Sequence, residues 1–257
     1  MRPFSYLILN SLTTVMVLVL NFLAGTGTFF PRNVGEVSAD FPTLITPAGY
    51  AFAIWGIIYL GWVMFVAYQW YTWSIKREDV SLRPSAEWVT MVNIANMVWL
   101  YLWTMEMIGW ALLVMFFLLY GLIRLTIRLR LEVWNAPLPI IAFVWWPVAI
   151  YLGWIITATV ANTTIFLVSL GWDGAPLSGE IWAMVVLLVA TLIYLFLIWK
   201  RNLRESALVG VWALVAIAWA DHSPWVNRTA IILAVILFLS AGIHALKNNP
   251  MFRSIRS

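Results

Sequence analysis

The stretch TPAGYAFAIWGIIYLGWVMFVAYQWYTW, residues 46–73, contains no charged side chain. From Gly49 to Trp73 it exceeds the roughly 20 apolar residues that carry a helix across a bilayer core about 30 Å thick. Pro47 and Gly49 open it, and proline is tolerated there because the first helical N–H groups have no intrahelical partner. Trp55, Tyr59 and Trp62 follow at i, i+4 and i+7, which places them on one helical face. Apolar and polar residues do not alternate, so the stretch reads as a membrane helix and not as a barrel strand.

The same criterion applied outward gives eight spans, at about Ser5–Ala24, Gly49–Trp73, Trp88–Thr104, Met107–Ile127, Ile140–Leu170, Ile181–Trp199, Ser206–Ala220 and Thr229–Leu246. The composition agrees. Of 257 residues, 63% are apolar and 10% charged, and mean hydropathy is +0.91. A soluble domain is about 45–50% apolar and about 25% charged, so a disordered chain, a nucleic-acid-binding arm and an ordinary soluble enzyme are excluded. Asn10, Ser11, Thr13 and Thr14 interrupt the first apolar run, and no small-x-small cleavage site follows. The first span therefore reads as a retained helix and not a signal peptide.

Charge sets an orientation. With the N-terminus inside, thirteen of the fifteen Lys and Arg fall on inside segments, from Arg2 through Arg77 and Arg128 to Arg253 and Arg256. Only Arg32 and Arg228 fall outside. The acidic residues divide almost evenly, and they contribute little to topology. The chain is thus expected to cross eight times with both termini cytoplasmic, in a bacterial inner (plasma) membrane. The outside loop Gly25–Ala48 is the longest connection, and Phe29, Phe30 and Phe41 suit it to folding over the bundle. The turn at Glu106 is short, which makes the third and fourth spans a tight hairpin.

Several chemistries have no residues to perform them. Cysteine is absent, which removes disulfides, thiolate metal sites and covalent c-type haem attachment. The two histidines, His222 and His244, lack partners at metal-ligand spacing. Neither lies in the first five spans, so axial histidine ligation of a haem there is excluded. No lysine lies mid-membrane for a retinal Schiff base, and no phosphate loop, HExxH or GxSxG occurs. Mid-span carboxylates of the kind proton-coupled transporters use are missing as well.

What the spans do carry is aromatic, amide and hydroxyl. Asn96, Trp99 and Trp103 share a face of the third span. Trp154, Ala158 and Asn162 follow at i, i+4 and i+8 in the fifth, with Tyr151 one turn earlier. Each face alone fits interhelical packing and interfacial anchoring. Three such faces in spans two, three and five fit the lining of a pocket for a flat aromatic or sterol-like molecule.

These segments resemble the TspO/translocator family, also called tryptophan-rich sensory proteins or peripheral-type benzodiazepine receptors. The resemblance rests on Trp-x-x-x-Tyr at Trp55 and Tyr59 after Pro47, on Asn-x-x-Trp at Asn96 and Trp99, and on Trp-x-x-x-Ala-x-x-x-Asn at Trp154, Ala158 and Asn162. One proline stands where the family usually carries two. The resemblance covers roughly residues 1–170. It implies an all-α polytopic bundle with a five-helix TspO-like membrane core at 1–170, and additional transmembrane helices with a short basic tail at 171–257. It further implies a ligand pocket lined by Trp55, Tyr59, Asn96, Trp99, Trp103, Tyr151, Trp154 and Ala158, with Pro47, Gly49 and Asn162 structural. No catalytic and no metal-ligating residue is assigned.

The leading expectation is an integral membrane protein that binds a tetrapyrrole (porphyrin) or sterol-like molecule non-covalently, as sensor or regulator. Its expected partners are membrane lipid, a small hydrophobic ligand and a second copy as homodimer, with no nucleic acid. A transporter of small apolar molecules, a porphyrin-degrading enzyme and a purely structural subunit are the alternatives.

Overall fold

The computed structural model describes residues 3–27, 30–76 and 80–248. Phe29 of the first loop, and Arg2, Arg77, Arg253 and Arg256 of the charge map, lie outside the described residues. Among those described, every regular element is helical: α1 (Pro3–Gly25), α2 (Val34–Asp40), α3 (Ile54–Ser74), α4 (Leu82–Thr104), α5 (Ile108–Arg128), α6 (Leu138–Ile140), α7 (Trp146–Ser169), α8 (Gly179–Arg201), α9 (Arg204–Ala218) and α10 (Pro224–Asn248), with a 3-10 turn over Gly49–Ala53 and a π-helical turn over Ile141–Trp145.

Among the described residues, six helical stretches are long and apolar enough to cross a membrane: Pro3–Gly25, Gly49–Ser74, Ile108–Arg128, Leu138–Ser169, Gly179–Arg201 and Pro224–Lys247. The two other predicted spans also form helices. α4 is long enough but carries Arg83, Glu87, Asn93 and Asn96, which lower its hydropathy. α9 has 15 residues, about 22 Å at 1.5 Å per residue, which is short of the hydrocarbon core.

The chain divides into two compact units. One takes in the chain up to Thr43 together with Ala53–Trp172, and the other takes in Leu44–Phe52 with the chain from Asp173 onward. In the first unit α1 packs on α3 and α4, α4 on α5, α5 on α7, and α7 back on α3. Five long helices therefore close a ring. Lipid supplies no hydrophobic drive between helices, so contact depends on close approach and on hydrogen bonds. Gly61 supplies the first where α3 meets α7, since a Cβ there would lie 3.3 Å from the Pro147 ring. Gly121 does the same for α5 against Val92 of α4.

An amide and hydroxyl network supplies the second. Asn93 of α4 accepts from the Trp62 indole N–H at 2.7 Å and donates to Thr13 and Thr14 of α1 at 3.1 and 3.0 Å. Asn10 donates to Gln69 at 3.3 Å, Gln69 donates to Ser85 at 2.9 Å, and Thr90 donates to Asn10 at 3.0 Å. The polar residues that interrupt the first apolar run are thus its contacts to α3 and α4. Such bonds are worth about 0.6 kcal/mol each in membranes, and up to about 1.7.

The long loop folds back as expected. Phe30 and Val37 are buried and Phe41 is half-buried. Asn33 caps α2 with a reciprocal capping box to Glu36. Trp103 of α4 donates to the Val34 carbonyl at 3.1 Å, and Arg32 pairs with Asp40 and with Glu106 of the α4–α5 turn.

In the second unit α8, α9 and α10 pack on one another, with Gly210 of α9 against the Tyr194 ring of α8. The helix-entry segment belongs here. The Ala48 N–H donates to the Ala216 carbonyl at 3.0 Å, Trp212 donates to Ala51 at 3.1 Å, and His222 bonds the Thr46 carbonyl at 2.8 Å.

Candidate functional site

Trp55 and Tyr59 sit one turn apart on α3 and stack on each other, with centroids 5.3 Å apart and planes 22° apart. Across the ring, α7 presents Tyr151 and Trp154 edge-on to Trp55, at 5.8 and 6.3 Å. Tyr151 also meets Trp62 edge-on at 5.3 Å. The helical spacings read from the sequence therefore converge on one aromatic cluster between α3 and α7. Gly61 and Pro147 allow the close approach that brings the rings together.

Asn96 of α4 joins this cluster by donating to the Tyr151 hydroxyl at 3.0 Å, while its carbonyl accepts from Asn21 of α1 at 2.9 Å. Trp99 and Trp103 form a second stack on α4, with centroids 5.6 Å apart. Both are buried and both indole N–H groups are committed, Trp99 to Asn162 at 3.0 Å and Trp103 to Val34. Asn162 in turn donates to the Ala158 carbonyl at 2.9 Å. Pro47 and Gly49 lie in the segment that packs in the second unit.

Three features give the α3–α7 cluster a character of its own. Trp55, Tyr59 and Ala158 are only half-buried, whereas the rest of the cluster is enclosed. The Tyr59 hydroxyl is buried and makes no hydrogen bond, although buried polar atoms nearly always have a partner. A π-helical turn, Ile141–Trp145, leads into α7, and such turns frequently accompany functional sites. Among the described residues no group of three or more His, Asp or Glu could hold a metal ion. Trp62, Asn93 and Asn21 complete the surroundings of the cluster. The i, i+7 spacing from Trp55 puts Trp62 on the same face of α3, whereas no spacing gives Asn93 or Asn21 a role. An amide in an otherwise apolar span was the available signal.

A separate groove of about 810 Å³ lies on the outer face of α4 and α5 and includes none of these residues.

Five helices close in the order α3–α1–α4–α5–α7, with aromatic and amide side chains of α3, α4 and α7 in contact. A family model described as TSPO-like protein matches residues 7–243. The chain belongs to the TSPO-like family. The match runs past the five-helix core at 1–170, on which the resemblance rested, through α8, α9 and most of α10. The C-terminal helices thus fall within the family's extent and not beyond it. No curated protein matches the chain, and no solved structure does. The TSPO-like protein is an integral membrane helical bundle.

Proposed function

We propose that this TSPO-like protein binds a flat hydrophobic molecule, a tetrapyrrole or sterol-like ring system, against the α3–α7 aromatic cluster and acts as a sensor or regulator in a bacterial inner membrane. The observation that carries the proposal is the buried, unpartnered hydroxyl of Tyr59, whose ring stacks on Trp55 while Tyr151 and Trp154 meet Trp55 edge-on. A ligand with an apolar face and a polar edge satisfies both parts: ring faces for stacking, and one hydroxyl for a hydrogen bond. Trp55 and Tyr59 form the accessible side of the site, and the small side chain of Ala158 keeps room on α7. Trp99, Trp103 and Asn162 back the site through their fixed bonds. The residues fit a tetrapyrrole held by its faces, because neither histidine of the chain is in the five-helix unit.

Haem titrated into detergent-solubilised protein tests this reading. The expected result is a saturable Soret change without a six-coordinate low-spin spectrum, and an affinity at least about tenfold weaker in Trp55→Ala, which corresponds to about 1.4 kcal/mol of stacking. A six-coordinate low-spin spectrum, or binding that Trp55→Ala leaves unchanged, contradicts it.

A further inference from the structure

The outer groove of α4 and α5 has a different chemistry from the aromatic cluster. Its floor and walls are apolar, with Ile94, Val98, Leu113 and Phe117 all well exposed along it. Glu87 and Tyr120 close one end. From Glu87 to Val98, α4 rises about 16 Å at 1.5 Å per residue, which is one leaflet's share of a core about 30 Å thick.

The groove ends at a carboxylate, Glu87, and at Tyr120, one helical turn before Arg124 on α5. Glu87 is exposed and makes no ion pair among the described residues. The Arg124 guanidinium lies over the ring of Trp88, the residue after Glu87, 5.3 Å from its centroid, and Tyr120 meets the same indole edge-on at 5.7 Å. The Arg124 Nε and Trp88 Nε1 atoms are buried and have no hydrogen-bond partner. Two N–H donors, one of them cationic, thus lack an acceptor on residues that adjoin the groove's end, on Trp88 beside Glu87 in sequence and on Arg124 one turn past Tyr120. They stand at the end of α4 and α5 where the basic residues Arg83, Arg124 and Arg128 cluster.

We infer that this groove is a specific phospholipid site for phosphatidylethanolamine. One acyl chain lies along Ile94, Val98, Leu113 and Phe117. The phosphate accepts from Arg124 and Trp88, and the primary ammonium pairs with Glu87. Charge and hydrogen bonding together select this headgroup. Phosphatidylglycerol offers Glu87 no cation, and the quaternary amine of phosphatidylcholine has no N–H to donate to it.

Native mass spectrometry of the detergent-extracted protein, incubated with equimolar phosphatidylethanolamine, phosphatidylglycerol and phosphatidylcholine, tests the inference. Phosphatidylethanolamine adducts should exceed each of the others by about fivefold, the weight of one hydrogen-bonded headgroup contact of about 1 kcal/mol. Glu87→Gln should abolish that preference, and Glu87→Asp should retain it. Arg124→Gln should reduce all phospholipid adducts, and Val98→Trp should remove them by filling the groove. Helical circular dichroism checks each fold, and Glu87 is exposed enough that its variants carry the test even if Val98→Trp misfolds. Equal adducts for the three lipids in the wild type, or a preference that Glu87→Gln leaves intact, overturns the site. A wild-type dimer that Val98→Trp converts to monomer also overturns it, because the groove would then be a protein interface.

Discussion

At the residue scale, Arg32 holds the outer loop in place. Its guanidinium reaches Asp40, Glu106 and the Glu36 carbonyl at once, and so ties α2 to the turn between α4 and α5. The hydrogen bond from Arg32 keeps the Asp40 carboxyl below its ordinary range, and the two carboxylates raise the Arg32 pKa in return. A depressed carboxyl pKa gives stabilisation that is complete above the ordinary aspartate value of about 3.9 and is lost as pH falls through the lower folded value. A spin label on Ala39→Cys, an exposed position in α2, should therefore stay immobile from pH 8 to pH 5 and gain mobility only below about pH 3.9. Arg32→Gln should be mobile throughout and lose the pH dependence. Equal mobility with and without Arg32 would show that the Trp103–Val34 bond holds the loop alone.

Side-chain contacts are legible in the sequence where one helix carries the pattern. Trp55 and Tyr59 are a turn apart, so their stacking follows from the helical repeat. Contacts are not legible where a partner lies far along the chain. Asn93 meets Thr13 and Thr14 across about 80 positions, and spacing cannot supply that pairing. The physical hint is that an amide in lipid must find a partner, which marks Asn10, Gln69 and Asn93 as contact residues without naming their contacts.

At the element scale, α3 and α7 decide the site. Gly61 against Pro147 sets their separation, and a proline ring cannot turn aside as a flexible side chain can. Gly61→Val should push the helices apart, cost about 1–3 kcal/mol through overpacking, and weaken any ligand bound at Trp55 and Trp154. Gly56→Ala is the control on the same helix. A Cβ there meets nothing within 4 Å, and the gain in helix propensity should stabilise by about 0.5–1 kcal/mol. Thermal unfolding in detergent reads both, and a neutral Gly61→Val would contradict the close α3–α7 approach. Helix positions were legible from apolar length. The π-helical turn before α7 was not, because nothing in Ile141–Trp145 breaks the helical pattern locally. The amides of α4 and the residues of the short α9 both find partners inside their own units. α4 spends Asn93 and Asn96 on α1, α3 and α7, and α9 receives the Leu44–Phe52 segment.

At the scale of the whole molecule, the charge bias predicts a topology that the absence of cysteine makes simple to test. Single cysteines at Asp221 and at Glu132 should report opposite sides. An impermeant maleimide applied to intact cells should label Asp221→Cys, and should label Glu132→Cys only after the cells are opened. The reverse pattern, or both labelled from one side, would contradict eight crossings with cytoplasmic termini. The two-unit division was the least legible feature. Segment 44–52 reads as the entry to a span, and its bonds to Ala216, Trp212 and His222 lie more than 160 residues away.

Tryptophan fluorescence decides whether the α3–α7 aromatic cluster binds a ligand. Protoporphyrin IX should quench the wild type saturably at micromolar concentration, and a Trp154→Leu, Ala158→Phe double variant of unchanged helical circular dichroism should lose that quenching. Weak quenching, or equal quenching in both proteins, would contradict the claim and leave a TSPO-like bundle whose ring serves structure or transport.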